Sequence, residues 1–345
     1  MVPQPASDAT TLERDSPALT VVIPTRDRGG SVIQTLRSVL AQSYRHFEVR
    51  IVDQSRDERT ATALASQPGD GRVHYLRSST TGLSTALNIG IGHAASELIA
   101  VTGDDCEAAS GWLDALVAAF ANDPRIGVVF GNVLPVAHDS GQGFVQAYVR
   151  QGGALARNLR EKHRVGGTSS NMGVRRTTWL ALHGFDAMLG VGAPLQAAEE
   201  TDLALRALRA GYFVCETPHA AVAHHGFLPR AERARLIHRN WYGTGAAFAK
   251  LVKCDPSAMV TAIPRLALGW AASSSGVAAS LDRSPHRAER LGAFARGFLA
   301  GLLMRVDRTN GHFVPRLRVP LHINASAFAT LPKPPGRRGR HRRLR

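Results

Sequence analysis

The chain has 345 residues, 44% of them hydrophobic and 20% charged, which supports a large buried core and excludes global disorder. Lys and Arg outnumber Asp and Glu by 42 to 27, a net charge of +15, and seven of the basic residues stand in the acid-free stretch Lys333–Arg345. That balance points to anionic partners such as nucleotide phosphates or acidic lipid headgroups. With aromatic residues at 6% and no interleaved aromatic platform, it speaks against a specific nucleic-acid binder.

Residues 1–17 read as a disordered lead-in without the apolar stretch of a signal peptide. Then "ALTVVIP" (Ala18 to Pro24) is a continuous β-branched run of the kind buried parallel strands show. "SVIQTLRSVLAQS" follows as a helix with Val32, Leu36, Val39 and Leu40 on one face. "FEVRIVD" is a strand, "RDERTATALAS" a helix, "RVHYL" a short strand and "LSTALNIGIGHAAS" a helix. "ELIAVTGDD" is a further strand, "GWLDALVAAFAND" a helix, and "IGVVFG" ends the series. Strands alternating with helices of this length imply βαβ units and a mostly parallel sheet, whose ligands bind at the carboxyl ends of the strands.

From about residue 135 to 170 the pattern weakens into Gly- and Gln-rich loop. A short helix is expected near Arg175–Leu182. An amphipathic helix starts at about Glu200, two apolar segments end in "ETP" and "HHG", and "ERARLIHRNWYGTGAAFAKLV" is a long helix. Two apolar runs close the pattern. Leu266–Leu281 is free of charge but 16 residues long, short of the roughly 20 a membrane span needs. "LGAFARGFLAGLLMRV" is broken by Arg296. Both are expected to be interfacial or paired helices resting on an anionic membrane surface, with ordinary buried helices as the alternative. The expected organisation is a lead-in over 1–17, a main domain over 18–250, a helical extension over 251–310 and a basic tail over 311–345. Cys106, Cys215 and Cys254 are odd in number and far apart, which argues against a disulfide framework and for a cytoplasmic protein, peripheral to the inner face of the plasma membrane if the extension docks there.

The chemistry gathers at strand ends. Asp104 and Asp105 in "TGDDCE" end an apolar run, where a carboxylate pair must be hydrated, paired or bound to a cation. Such oxygens suit Mg²⁺ or Mn²⁺ held together with substrate phosphates, whereas a plain helix N-cap is the simpler reading. Glu199 and Glu200 open a helix, where the dipole favours acids and where a carboxylate in a cleft can serve as a general base. His224 and His225 end an apolar segment and are candidate ligands.

The succession of these pieces resembles the family 2 glycosyltransferases, over about residues 19 to 250. "VVIPTRDRG" is similar to the family's opening strand and donor loop, with Pro24, Thr25 and Arg26 on the donor side. "VDQSRDE" resembles its second-strand motif, with Gln54 where a second Asp is usual. The resemblance implies a GT-A fold, a Rossmann-like, mostly parallel sheet flanked by helices with a C-terminal helical extension. It implies that Asp53 contacts the nucleobase, Asp104 lies by the donor ribose or metal, and Asp105 ligates a divalent Mn or Mg ion. Either His224 or His225 would complete that metal site. "GTSSNMGVRR" is similar to the segment on the acceptor side, bringing in Asn171 and Met172. "EETDLALRALRAG" resembles the Glu-Asp motif whose second acid is the catalytic base of inverting members; Glu200 stands there and Glu199 beside it. The DxD segment carries Gly103 where many members have a first acid.

The implied activity moves a sugar from a nucleotide-diphosphate-sugar donor to an acceptor hydroxyl on a glycan or lipid-linked molecule, in cell-envelope or exopolysaccharide synthesis. A sugar nucleotidyltransferase is the enzymatic alternative, disfavoured because "PTRDRGG" has neither G-x-G-x-x-G nor a Walker lysine. A non-catalytic nucleotide-binding relative is the other alternative, kept open by Gly103 and Glu200.

Overall fold

The computed structural model describes residues 18–261 and 287–315. The expected lead-in, the run Leu266–Leu281 and most of the basic tail lie outside these residues.

The first half alternates as its apolar runs require. Strand β1 (Leu19–Thr25), helix α1 (Val32–Leu40), β2 (Phe47–Asp53), α2 (Arg59–Ala65), β3 (Val73–Arg77), α3 (Leu83–Gly92) and β4 (Leu98–Thr102) follow in turn. A three-residue strand β5 (Cys106–Ala108) precedes α4 (Trp112–Ala121) and β6 (Ile126–Pro135). Short strands β7 (Gly143–Val145) and β8 (Ala154–Ala156) and a 3₁₀ turn over Leu159–Arg164 occupy the region expected to be loop. Then come β9 (Asn171–Arg175), α5 (Arg176–Ala181), α6 (Glu199–Arg209), β10 (Phe213–His224), β11 (Phe227–Pro229) and α7 (Arg233–Cys254). A short α8 (Ala258–Thr261), the long α9 (Arg287–Leu303) and a small hairpin of β12 (Val306–Asp307) and β13 (His312–Phe313) complete the described chain.

The main sheet runs in the order β3-β2-β1-β4-β9-β6-β10-β5, with β8 also on β10. Its β3-β2-β1-β4 half is parallel. Strand β9 lies antiparallel between β4 and β6, a strand that "NMGVR" did not announce because it is short and poor in β-branched residues. The two apolar segments after α6 are one strand, β10, broken by a bulge between Glu216 and Ala221.

Side chains alternate across the sheet, so Val21 and Ile23 face one helical layer while Val22 faces the other. One core packs α1 and α4 on the sheet through Val39, Trp112 and Phe120; the opposite core brings in α3, α5 and α6 through Leu87, Trp179 and Leu203. All of these are buried. Each such side chain contributes roughly 1.5–3 kcal/mol of burial. The strand ends between these layers are therefore held rigidly.

A boundary at residue 250 falls inside α7, and α9 lies along that helix. Their backbones come close because Gly245 faces the Phe294 carbonyl, Gly297 faces that of Tyr242, and Gly301 sits over Ala246 and Ala249; an added Cβ would collide at all three. The opposite face of α9 exposes Leu291, Leu299, Leu302 and Leu303. Among the described residues no helix is long and apolar enough to cross a membrane.

Candidate active site

The carboxyl ends of β1, β2 and β4 bring the "PTRDR", "DQS" and "TGDD" segments together, as the strand order demands. Thr25, the last residue of β1, donates its hydroxyl to Asp104 Oδ2 at 2.6 Å. Burial, with the charge of Asp105 added, pushes the Asp104 carboxyl up to about 6 against the opposing Thr25 and Arg28.

Asp105 does not cap a helix, because β5 intervenes and α4 begins seven residues later behind Gly111. Its carboxylate is instead flanked by cations. His224 Nε2 lies 3.4 Å from Oδ1, and Arg28 Nη2 donates to Oδ2 at 2.9 Å. Burial alone would raise Asp105, but the His224 hydrogen bond and charge, with Arg28, outweigh it and hold the carboxyl below its ordinary value. His224 in turn is pushed down by burial and up more strongly by Asp105, for a net rise.

The two histidines part company. In β10 the buried residues Ala220, Val222 and His224 share one face. His224 donates Nδ1–H to the Gln146 carbonyl at 2.8 Å, which fixes the ring and leaves Nε2 toward Asp105. His225 turns away: its Nε2 sits 3.3 Å from Glu107 and 3.4 Å from Gln34. The expectation that either His could serve therefore narrows to His224. Ligand atoms of Asp105, Cys106 and His224 lie within 4.8 Å of one another. A carboxylate oxygen and an imidazole nitrogen suit Mn²⁺, whereas the soft sulfur of Cys106, whose thiol burial pushes up, is a poor match for it. The donor chemistry thus fits a divalent cation on Asp105 and His224. Gly103 has a steric reason: a Cβ there would lie 3.1 Å from Asp105 Oδ1 and 3.3 Å from Cys106 Sγ, so a first acid would crowd the one that remains.

Asp53 is fully buried. Its Oδ1 accepts from the Ser55 amide at 2.8 Å and its Oδ2 from the Tyr75 hydroxyl at 2.7 Å. In this conformation it shapes the loop and holds Tyr75 rather than presenting itself to a base. Pro24 is partly buried at the end of β1, and Arg26 Nη1 reaches the Gly192 turn, 3.7 Å from where a Cβ would stand.

Helix α6 begins behind Ala198, whose φ of 73° is left-handed. Glu199 accepts from the Ser169 hydroxyl at 2.7 Å, and the turn at Gly190 (φ 98°) leaves room for its other oxygen. Burial raises the carboxyls of both Glu199 and Glu200; with the Glu199 charge added, Glu200 is pushed up to about 8. Sequence reasoning missed the buried Lys162, which donates to the Val165 carbonyl at 3.0 Å. Burial pushes it down to about 8 while the charges of Glu200 and Glu216 support its ammonium. A lone lysine in an unpatterned loop gave no signal.

Asn171 and Met172 do not face the cleft. Asn171 accepts from Trp112 Nε1 at 2.8 Å and donates to the carbonyls of Asn132 at 2.8 Å and Ala220 at 3.0 Å, the latter within the β10 bulge. Met172 is buried among the core residues behind α3 and α6. The expected acceptor-side role is corrected for this pair: β9 is an interior strand, and its polar side chain satisfies backbone groups a bulge leaves open. Beneath α6, buried Lys250 bridges Asp186 Oδ2 at 2.5 Å and Asp202 Oδ1 at 2.8 Å. Arg206 holds the other Asp202 oxygen at 2.8 Å, and the Phe313 amide donates to Asp186 at 2.8 Å. This network ties α6, α7 and the terminal hairpin into one base for Glu200.

The profile described as Glycosyl transferase family 2 matches residues 20–178. A protein of Sinorhizobium fredii is 27% identical over 61% of this chain, and the match spans only 24% of that relative's length. A glucosyl-dolichyl phosphate glucuronosyltransferase of Haloferax volcanii is 28% identical over 63% of this chain and 72% of its own. Among solved structures, a mannosyltransferase from Pyrobaculum calidifontis in complex with GDP-Man and Mn²⁺ superposes with a TM-score of 0.55 at 20% identity, covering 84% of this chain and 88% of its own. That likeness shows the GT-A fold. Together with the strand-end acids and the Glu pair that opens α6, these matches support a family 2 glycosyltransferase of GT-A type.

Proposed function

We propose that this chain is a metal-dependent, inverting glycosyltransferase that moves a sugar from a nucleotide-diphosphate-sugar to an acceptor hydroxyl. The observation that carries the reading is the pairing of two unlike carboxylate sites, Asp105 just past β4 and Glu200 at the start of α6, linked where Thr102 donates to the Ser170 carbonyl at 3.0 Å and Ser169 donates to Glu199 at 2.7 Å. Asp105 is held ionised beside His224, whereas the half-buried Glu200 is raised by desolvation and by the Glu199 charge. Pairs of acids whose surroundings push them apart are assigned unlike roles.

Asp105 and His224 Nε2 would hold the divalent cation, and Asp104 with Thr25 would orient the donor beside it. A bound cation supplies positive charge for the departing diphosphate. Glu200, when ionised, takes the proton of the acceptor hydroxyl as that oxygen forms its bond to the anomeric carbon. The carbon–oxygen bond to the diphosphate breaks on the opposite face, and its electron pair leaves with the nucleoside diphosphate. One such displacement inverts the configuration. The GDP-Man and Mn²⁺ of the archaeal neighbour and the lipid-linked substrate named for the Haloferax relative support a nucleotide-sugar donor and a lipid-linked or glycan acceptor. The exposed leucines of α9 and the basic C-terminal stretch support peripheral docking on an anionic membrane, which flotation with acidic liposomes tests.

Glu200→Gln is expected to bind donor as well as the parent and to lose turnover by roughly a hundredfold or more. Asp105→Ala is expected to lose both turnover and Mn²⁺-dependent binding. Turnover retained in Glu200→Gln would move the base elsewhere.

A further inference from the structure

We infer that Arg28 is a resident counter-cation of the metal-binding carboxylates, which it releases on metal entry to grip the donor's diphosphate. The inference rests on the metal reading of Asp105 given above.

The geometry is specific. Arg28 Nη2 lies 2.9 Å from Asp105 Oδ2, and its Nε lies 3.8 Å from Asp104 Oδ1. Asp105 Oδ1 is meanwhile faced by His224. Both oxygens of the expected ligand are therefore covered, one by an imidazole that can itself ligate and one by a guanidinium that cannot. A cation reaching Oδ2 has to displace Arg28, and its charge then repels the guanidinium at short range.

The loop allows that exchange. Its backbone is tied down: the Asp27 amide donates to Ser55 Oγ at 2.8 Å, and the Asp27 carboxylate accepts from the Arg56 amide at 3.0 Å and from Arg56 Nε at 3.1 Å. Asp27 and Gly29, on either side of Arg28, both hold left-handed φ values, 57° and 59°. The Arg28 side chain is 50% exposed, against 14% for Asp105 and 9% for Asp104. The moving part is thus a half-exposed side chain on a fixed loop, swinging over the mouth of the carboxylate site. A guanidinium freed there matches phosphate oxygens through two parallel hydrogen bonds. Arg28 would keep two adjacent carboxylates from repelling each other before metal arrives, and make diphosphate binding complete only after it has.

The two halves predict effects of opposite sign in one variant. Mn²⁺ binding is read from loss of the free-ion electron paramagnetic resonance signal, on the full chain without nucleotide. Arg28→Gln is expected to bind Mn²⁺ about fivefold tighter, the value of removing a half-exposed competing ion pair. With Mn²⁺ saturating, UDP and GDP are titrated by calorimetry. The nucleotide that binds the parent is expected to bind Arg28→Gln about tenfold more weakly. Arg28→Lys, which keeps charge but not the fork, is expected to match the parent for Mn²⁺ and fall between for nucleotide. Mn²⁺ affinity equal to or weaker than the parent's in a folded Arg28→Gln, or unchanged nucleotide affinity, overturns the exchange while leaving the metal reading intact. Absence of Mn²⁺ uptake by both proteins overturns the metal reading and the inference with it.

Discussion

The raised carboxyl of Glu200 has two consequences that one variant separates. Its ordinary value is 4.5 and burial with the Glu199 charge moves it to about 8. Between those values the unfolded chain has lost the proton while the folded chain keeps it. Folding stability from this group is then fully present below pH 4.5 and is lost progressively as pH rises to about 8. At about 1.4 kcal/mol per pH unit the loss is of the order of 4 kcal/mol once coupling to Glu199 is allowed for, or roughly 10 °C in melting temperature. His224, raised, and His312, held near 4 chiefly by burial, titrate in or near the same window, so the difference between wild type and Glu200→Gln is the quantity to follow. The amide that Glu200→Gln introduces does not ionise, so the variant is expected to gain on the wild type from about pH 5 to about pH 8 by that amount. The second consequence is kinetic. A base with this affinity for protons is about one-tenth ionised at pH 7, so kcat/KM is expected to climb about tenfold from pH 7 to pH 9 and then level. A stability difference flat from about pH 5 to 8, with a rate plateau already reached at about pH 6, would refute the argument from burial.

Breaking the network under α6 should be costly. Lys250→Met leaves Asp186 and one oxygen of Asp202 buried without their cation and is expected to destabilise the fold by about 3–5 kcal/mol, read by urea unfolding. A cost below about 1 kcal/mol would show that water enters this site. Gly103→Asp, which supplies the missing first acid, is expected to weaken Mn²⁺ binding rather than strengthen it, because its Cβ meets Asp105 Oδ1; tighter binding in a Mn²⁺ titration would contradict the steric account.

Much of this architecture is written in hydrophobic periodicity. The β-branched runs "LTVVIP" and "FEVRIVD" specify buried parallel strands on their own, and the helix at Val32 shows its buried stripe plainly. What stayed hidden depends on contacts distant in sequence. Strand β9 is held by its neighbours rather than by propensity, so Asn171 reads as a polar loop residue although it is an interior bracket. The bulge in β10 made one strand read as two. The choice between His224 and His225 was open to inspection, since alternation from Ala220 through Val222 already puts His224 on the buried face. Arg28 is legible as a basic donor-loop residue near the phosphates, but its pairing with Asp104 and Asp105 is not, and Lys162 carried no mark at all: both depend on which carboxylates the fold brings beside them.

The most direct test of the account is a melting-temperature screen of UDP-, GDP- and dTDP-sugars with and without Mn²⁺, on wild type and Asp105→Ala in parallel. The account predicts that at least one nucleotide-sugar stabilises the wild type only when Mn²⁺ is present, by about 2.7 kcal/mol at a hundredfold excess over its Kd, and leaves Asp105→Ala unmoved. Stabilisation of equal size without Mn²⁺ or in Asp105→Ala, or no stabilisation by any of these donors, would contradict it.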